Sequence, residues 1–368
     1  MTLNSSFGMP SLGNIPPRLP PKDKLRSSLK PTSDLAVLNT YLQTVAKQPK
    51  GQENGLRILL QTCSELGNEK FVEALLCRGA DVNAYNKTSL PALHCAAKEG
   101  HVCIIELLLF SKAKIDLVDS GGRTALMHAA LNGKTAALQK LLNKGASIGA
   151  KDRQGRNVVI HAASGGHIHT LEVLLQGGAD PEHADDAGRT ASICAAANND
   201  PGVLKLLLSR VAIPRAADND GRSILAYAIA NEKASIDDKK QVLTLLLEAR
   251  VDVKQIPHSL QSIRSAALSG QHEILKLLIK HKANVNASDE NGRSALLHLA
   301  SDPSKNPKWD EQTLSILINA QANVYKVDHD KSTGRKRTAL QWAAATGHEV
   351  VAKAVLRHNP NTATIAPG

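Results

Sequence analysis

Aromatic side chains are almost missing from this sequence. Phe, Tyr and Trp together make up 2% of 368 residues. Modules that stack RNA or single-stranded DNA bases need exposed aromatics, so this scarcity argues against them. No apolar run is long enough to span a bilayer. The first ten residues carry neither a charged start nor an apolar core, which argues against a secretory signal. Cysteine is sparse too: Cys63, Cys77, Cys95, Cys103 and Cys194 are odd in number and form no CxxC pair. That excludes a disulfide framework and points to a reducing setting, cytoplasmic or nuclear. Acidic residues fall short of basic ones, 34 against 45, for a net charge of +11. The first fifty residues hold +5 of that excess, so the rest of the chain is only mildly basic and shows no nucleic-acid-binding stripe. No nucleophile elbow, HExxH, Walker or dinucleotide-binding glycine pattern occurs.

What the chain does contain is a repeat. Gly121-Gly122-Arg123-Thr124-Ala125-Leu126-Met127-His128-Ala129-Ala130 returns as Gly155-Arg156-Asn157-Val158-Val159-Ile160-His161-Ala162-Ala163, and again as Gly188-Arg189-Thr190-Ala191-Ser192-Ile193-Cys194-Ala195-Ala196. The residue after Arg recurs every 33 positions at Thr124, Asn157, Thr190 and Ser223, and the same step reaches back to Pro91 and Ile58. It continues at Gln261, Ser294 and Thr338, at steps of 38, 33 and 44. A self-similar unit of this length marks a stacked-repeat architecture. The Ala pairs are strong helix formers with small side chains, so one helix per unit can lie close to its neighbours. Leu171, Leu174 and Leu175 sit at helical spacing and predict a second, apolar-striped helix. Gly100, Gly133, Gly166, Gly270 and Gly347 are placed to end the first helix in a left-handed conformation. No single unit can bury its own stripe, so the core must be the stack. Length alone suggests two or three domains; the repeat predicts one elongated one.

These units resemble the ankyrin repeat. The closest copy is Ala92-Leu93-His94-Cys95-Ala96-Ala97-Lys98-Glu99-Gly100-His101 followed by Ile104-Ile105-Glu106-Leu107-Leu108-Leu109, and Gly79-Ala80-Asp81-Val82-Asn83-Ala84 carries the family's loop signature. The resemblance covers nine units over about residues 54–359. It implies an all-α repeat solenoid of β-hairpin and helix-turn-helix units, and a role in binding other proteins.

Flanking segments follow from composition. Residues 1–32 are rich in Pro and Ser and are expected to form a flexible basic tail. Within it, Pro17, Pro20 and Lys22 have the Pro-x-x-Pro-x-Lys spacing that a polyproline helix presents to an SH3-type groove. A solvated linker is the plainer alternative. Residues 33–53 are expected to hold an N-terminal capping helix over 34–46, started by Ser33, with Leu35, Leu38, Leu42 and Val45 on one side. Residues 360–368 read as a second flexible tail. The repeats become irregular after Ala230: about six extra residues near 231–240, a short hairpin at 254–260 containing Pro257, an insertion within 301–312 that includes Trp309, and another within 329–336. Insertions in stacked repeats are expected in loops, often on the binding face.

One helix position runs Cys95, His128, His161, Cys194, Tyr227, Ser265, His298, Trp342 through successive units. Zinc needs its ligands within about 2.0–2.3 Å, whereas neighbouring helices lie about 8–10 Å apart. One residue per layer therefore cannot converge, and no metal or other cofactor is expected. Arg123, Arg156, Arg189, Arg222, Arg293 and Arg337 occupy a single hairpin position. They are expected to form a ladder on one edge of a concave groove; the structural alternative is that they pair with the column Asp of the hairpin, as Asp119, four residues earlier, with Arg123. Arg forks suit carboxylates, so the expected partner is a protein with an acidic surface, and Trp309 is the expected apolar anchor. The function implied is non-enzymatic scaffolding; an enzyme or small-molecule site assembled across several repeats is the alternative.

Overall fold

The computed structural model describes residues 19–46, 52–86, 89–210, 214, 217–251, 256–304, 309–329 and 336–358. By its contacts the chain divides into two compact units, Met1–Ile148 and Gly149–Gly368, where the repeat predicted one continuous domain.

In the first unit α1 (Lys22–Ser28) and α2 (Leu35–Ala46) precede three helix pairs: α3 (Gln52–Leu66) with α4 (Glu69–Cys77), α5 (Ala92–Glu99) with α6 (Val102–Phe110), and α7 (Ala125–Leu131) with α8 (Thr135–Asn143). The second unit holds α9 (Val158–Ser164) and α10 (Ile168–Gln176), α11 (Ala191–Asn198) and α12 (Pro201–Leu208), α13 (Ile224–Ala230) and α14 (Ile236–Glu248), α15 (Ile256–Leu268) and α16 (His272–Lys280), α17 (Ala295–Ala300) and α18 (Glu311–Asn319), and α19 (Ala339–Thr346) and α20 (Glu349–His358). Within each unit, first helices pack on first helices and second on second. The extended component is slight: single antiparallel bridges such as Ala184 to Thr190 and Ser288 to Ser294 close hairpins ahead of the first helices.

The repeat explains the packing. Ala96, Ala97, Ala129, Ala130, Ala162 and Ala163 are fully buried, and so are Leu171 and Leu174 on the second helix. Burying one such Leu is worth roughly 1.5–3 kcal/mol, so a short helix pair gains its stability from its neighbours. From Pro91 to Ser223 the residue that recurs every 33 positions is the N-cap of the first helix, whereas Ile58 lies inside the longer α3. Thr124 accepts from Met127 N–H, Asn157 from Ile160 N–H and Ser223 from Ala226 N–H, at 3.0–3.3 Å. The five glycines expected to end first helices all have positive φ. In the fifth pair Asn199 takes that left-handed role at φ 54°, and Pro201 opens α12 behind the Asp200 cap.

Three expectations change. The stretch assigned to a flexible tail contains α1, whose Leu25 is buried together with the C-cap Leu29; Arg26 bonds Glu65 at 2.6 Å, and Asn68 donates to Lys30 O at 2.8 Å. In α2 the cap is Asp34, one residue after Ser33, and Leu38 and Val45 are buried while Leu35 is exposed. Irregular segments lengthen helices as well as loops: α14 and α15 have 13 residues each. Residues 256–260, read as hairpin, are the first turns of α15, where Pro257 is tolerated because an N-terminal N–H needs no intrahelical partner. The hairpin link is replaced by Gln261, whose side chain accepts from Ser223 N–H and donates to Gly221 O, both at 2.8 Å.

Candidate protein-binding surface

The arginines stand over buried carboxylates. In the first unit Asp119 is sealed from solvent at the base of its hairpin. Its Oδ1 accepts from the N–H groups of Gly121 (2.8 Å) and Arg123 (2.9 Å), and its Oδ2 from Arg123 Nε (3.2 Å) and His128 Nε2 (2.9 Å). In the second unit Asp152 repeats the set with Gln154 N–H, Arg156 N–H, Arg156 Nε and His161 Nε2, all at 2.8–3.0 Å. Asp185 takes Ala187 N–H, Arg189 N–H and Arg189 Nε in the same way.

This arrangement accounts for the His, Tyr and Trp members of the helix column. An ionised carboxylate can only accept, so the ring partner must bring a proton. Tyr227 donates to Asp218 (2.7 Å), His298 Nε2 to Asp289 (3.0 Å) and Trp342 Nε1 to Asp328 (2.8 Å). These members are hydrogen-bond donors of medium to large size, and the sequence signal is an Asp nine residues ahead, as with Asp152 and His161; the same spacing joins Asp185 to Cys194, where Arg189 and backbone N–H groups hold the carboxylate instead. At Trp342 the hairpin insertion stretches that spacing to fourteen. Among the described residues, no three His, Cys, Asp or Glu side chains gather as a metal site would require.

Protonation follows the geometry. Burial pushes Asp119 up, but the donors from Arg123, His128 and Gly121, with the Arg123 charge, outweigh it and pull the carboxyl down to about 2. Burial lowers His128 against the opposing hydrogen bond to Asp119, which keeps the imidazole neutral. Burial, then the charge of Arg264, lowers His298. His94, where the corresponding residue one repeat on is Met127, is buried and bonds Arg123 O at 3.0 Å. Burial, and then the neighbouring His128, brings it down to about 4.

The arginines are held differently along the chain. Arg123, Arg156 and Arg189 pair with the Asp four residues earlier, as expected. Arg222 instead lies over the Tyr227 ring, 4.1 Å from its centroid. Arg293 reaches forward to Asp328 at 3.0 Å, and Arg337 covers the Trp342 ring at 4.6 Å. None of these ion-paired side chains is buried: exposure runs from 26% at Arg293 to 40% at Arg189. A guanidinium has five N–H donors, and in Arg156 the Nε and one Nη2 donor serve Asp152.

Trp309 is not an exposed anchor. It is 4% exposed, its Nε1 donates to Asp302 Oδ2 at 2.9 Å, and its ring meets His348 edge-on at 5.2 Å. Burial pushes Asp302 up, but the bonds from Trp309 and Ser304 outweigh it and bring the carboxyl down. With His348 Nε2 bonding Asp302 O at 2.5 Å, the segment between α17 and α18 is clasped to the start of α20. An indole on an insertion can close the insertion as readily as it can dock a partner, and composition does not separate the two. The Pro-rich motif also changes: Pro17 lies outside the described residues, Pro20 precedes a helix, and Lys22 is the first residue of that helix, so the basic position is not part of a polyproline strand. Lys331 and Arg335, basic residues of the insertion within 329–336, lie outside the described residues.

A family model described as "Ankyrin repeats (3 copies)" matches residues 59–152, 159–257 and 266–365. A second, described as "Ankyrin repeats (many copies)", matches residues 132–175. No curated protein matches the chain.

Proposed function

The chain belongs to the ankyrin-repeat family, whose repeats are generally protein–protein interaction modules, and we propose that it is a non-enzymatic scaffold whose hairpin arginines receive the acidic surface of a partner protein. The observation that carries the reading is the pairing of each half-exposed guanidinium with a buried hairpin carboxylate or an aromatic ring. The fork is oriented before binding, so little side-chain entropy remains to be lost on contact. An ion pair at such exposure contributes only about 0–1 kcal/mol, so an incoming carboxylate can share the fork at little cost. The perturbed groups nearby, Asp119, His94 and His128, are all engaged in holding hairpin to helix, which accords with a structural rather than a catalytic use. All five cysteines are free, which supports a reducing compartment, cytoplasm or nucleus.

Crosslinking mass spectrometry of the tagged protein in its native cells supplies the partner. Arg156→Glu with Arg189→Glu should then weaken binding at least tenfold, about 1.4 kcal/mol. Because reversal also places carboxylates beside Asp152 and Asp185, the companion variant Arg156→Gln with Arg189→Gln should show the same direction with the circular dichroism unchanged. Unaltered affinity in the folded glutamine variant would assign the column to hairpin structure alone.

A further inference from the structure

Phe110 is 87% exposed, far more than the other large apolar side chains that reach the surface. It ends α6, the second helix of its pair. In five other pairs the corresponding last residue is Asn143, Gln176, Glu248, Lys280 or Asn319. Cys77 ends α4 and Leu208 ends α12, but Phe110 is the largest apolar residue at this corner and the most exposed. A fully exposed phenyl ring gains nothing from folding, so its gain must come from whatever covers it.

The ring stands at a cleft of about 820 Å³ in the first unit, floored by Leu107, Leu109, Ala113 and Ile115. The helices α4, α6 and α8 pack in that order, with α6 in the middle. Their charges are not evenly spread. The α4 wall carries Glu69 and Glu73 against Lys70, and no ion pair reaches either Glu among the described residues. The α8 side carries Lys140, which pairs with Glu106 of α6 at 2.5 Å, and just beyond its end lies Lys144. The cleft is therefore acidic on the α4 side and basic at Lys144, with a floor that is apolar apart from the Glu106–Lys140 ion pair and Cys103.

We propose that a second copy of this chain covers the cleft, with Phe110 of each copy seated in the cleft of the other. A two-fold axis through α6 exchanges the α4 wall with the α8 wall. It brings Glu69 and Glu73 of one protomer over Lys144 of its partner, twice, and stacks the two apolar floors. A patch polarised across its middle is self-complementary under that operation, which is the requirement of an isologous interface. A foreign partner would have to match both signs and the ring; the same surface supplies all three. Each chain carries +11, so the approach is opposed by net repulsion and the dimer is weak, forming at micromolar concentrations and above.

Sedimentation velocity of the full chain across about 1–300 μM, in 0.15 M salt, should show mass rising from 39.2 kDa towards twice that value. Phe110→Asp, at a site too exposed to disturb folding, should stay monomeric throughout. Glu73→Lys and Lys144→Glu should each weaken self-association at least tenfold when alone, because one makes both walls basic and the other removes the basic wall. Mixed in equal amounts, the two variants should pair with each other more tightly than either does with itself. A chain that stays monomeric at every concentration overturns the proposal, as does a dimer that survives Phe110→Asp. Charge variants that fail to complement on mixing overturn it too, since a ring that merely adheres to apolar surface has no sign preference.

Discussion

A carboxylate sealed at the base of a hairpin dictates its surroundings. Asp119 needs its oxygens satisfied, and it obtains two backbone N–H groups, a guanidinium and an imidazole. Leaving one buried acceptor unsatisfied costs about 1–3 kcal/mol, which explains why His128, His161, Tyr227, His298 and Trp342 are all donors although the residue type differs. The same site gives the molecule an acid sensitivity. The folded state holds His94 near 4 because burial and His128 disfavour its charge, whereas the unfolded chain titrates it at about 6.5. Between these values the unfolded state binds more protons, so stability rises with pH across the window and falls as pH drops from 6.5 to 4. Asp119, held at about 2, loses its own contribution only below that window. His94→Met, which copies the residue at the next repeat, should therefore flatten the slope of unfolding free energy against pH by up to about 1.4 kcal/mol per unit. Urea titrations at pH 4.5, 5.5 and 6.5 measure it; an unchanged slope would place the acid response elsewhere.

Between elements, close approach matters more than attraction. Gly55 on α3 faces Val45 on α2, and a Cβ at Gly55 would lie 2.6 Å from Val45 Cγ2. Gly55→Ala should lift α2 from α3, exposing Leu38, and lower the melting temperature by several degrees. Adding Val45→Ala should recover most of the loss, because the two changes share one contact and are not additive. A double variant no better than the sum of the singles would show that α2 is held by something other than this fit. Much of this level was legible in the sequence. The 33-residue period, the Ala pairs and the Leu stripe placed the paired helices, and the helix-ending glycines all appear with positive φ. What failed has physical causes. α1 has only seven residues, and buried Leu25 with the C-cap Leu29 forms no full stripe, so its order comes from tertiary contacts that no local pattern carries. Residues 256–260 begin with Ile256-Pro257, which reads as a turn but is equally compatible with the first turn of a helix. Trp309 lies between α17 and α18, yet whether its indole faces solvent or Asp302 depends on a partner seven residues away and on His348. The arginine column was visible as a register of identical residues; its three modes of attachment were not, because they depend on whether Tyr227 or Trp342 stands beneath the guanidinium.

For the molecule as a whole, charge acts at two ranges that kinetics can separate. The excess of +11 is long-range and mostly screened beyond about 8 Å at physiological salt, so it guides encounter rather than holding a complex. The first fifty residues contribute +5 of it, and Lys24 and Lys30 there are exposed. The hairpin arginines act at contact distance, where a desolvated fork resists dissociation. Lys24→Gln with Lys30→Gln should therefore slow association with an acidic partner, reduce the dependence of that rate on ionic strength, and leave dissociation unchanged. Arg156→Gln with Arg189→Gln should do the reverse, raising the dissociation rate at least tenfold with little change in association. Stopped-flow or surface-plasmon measurements at 50 and 300 mM salt distinguish the two. If the lysine pair altered dissociation as strongly as the arginine pair, the N-terminal segment would itself be part of the bound surface, and the contact site would have to include the first unit's outer helices.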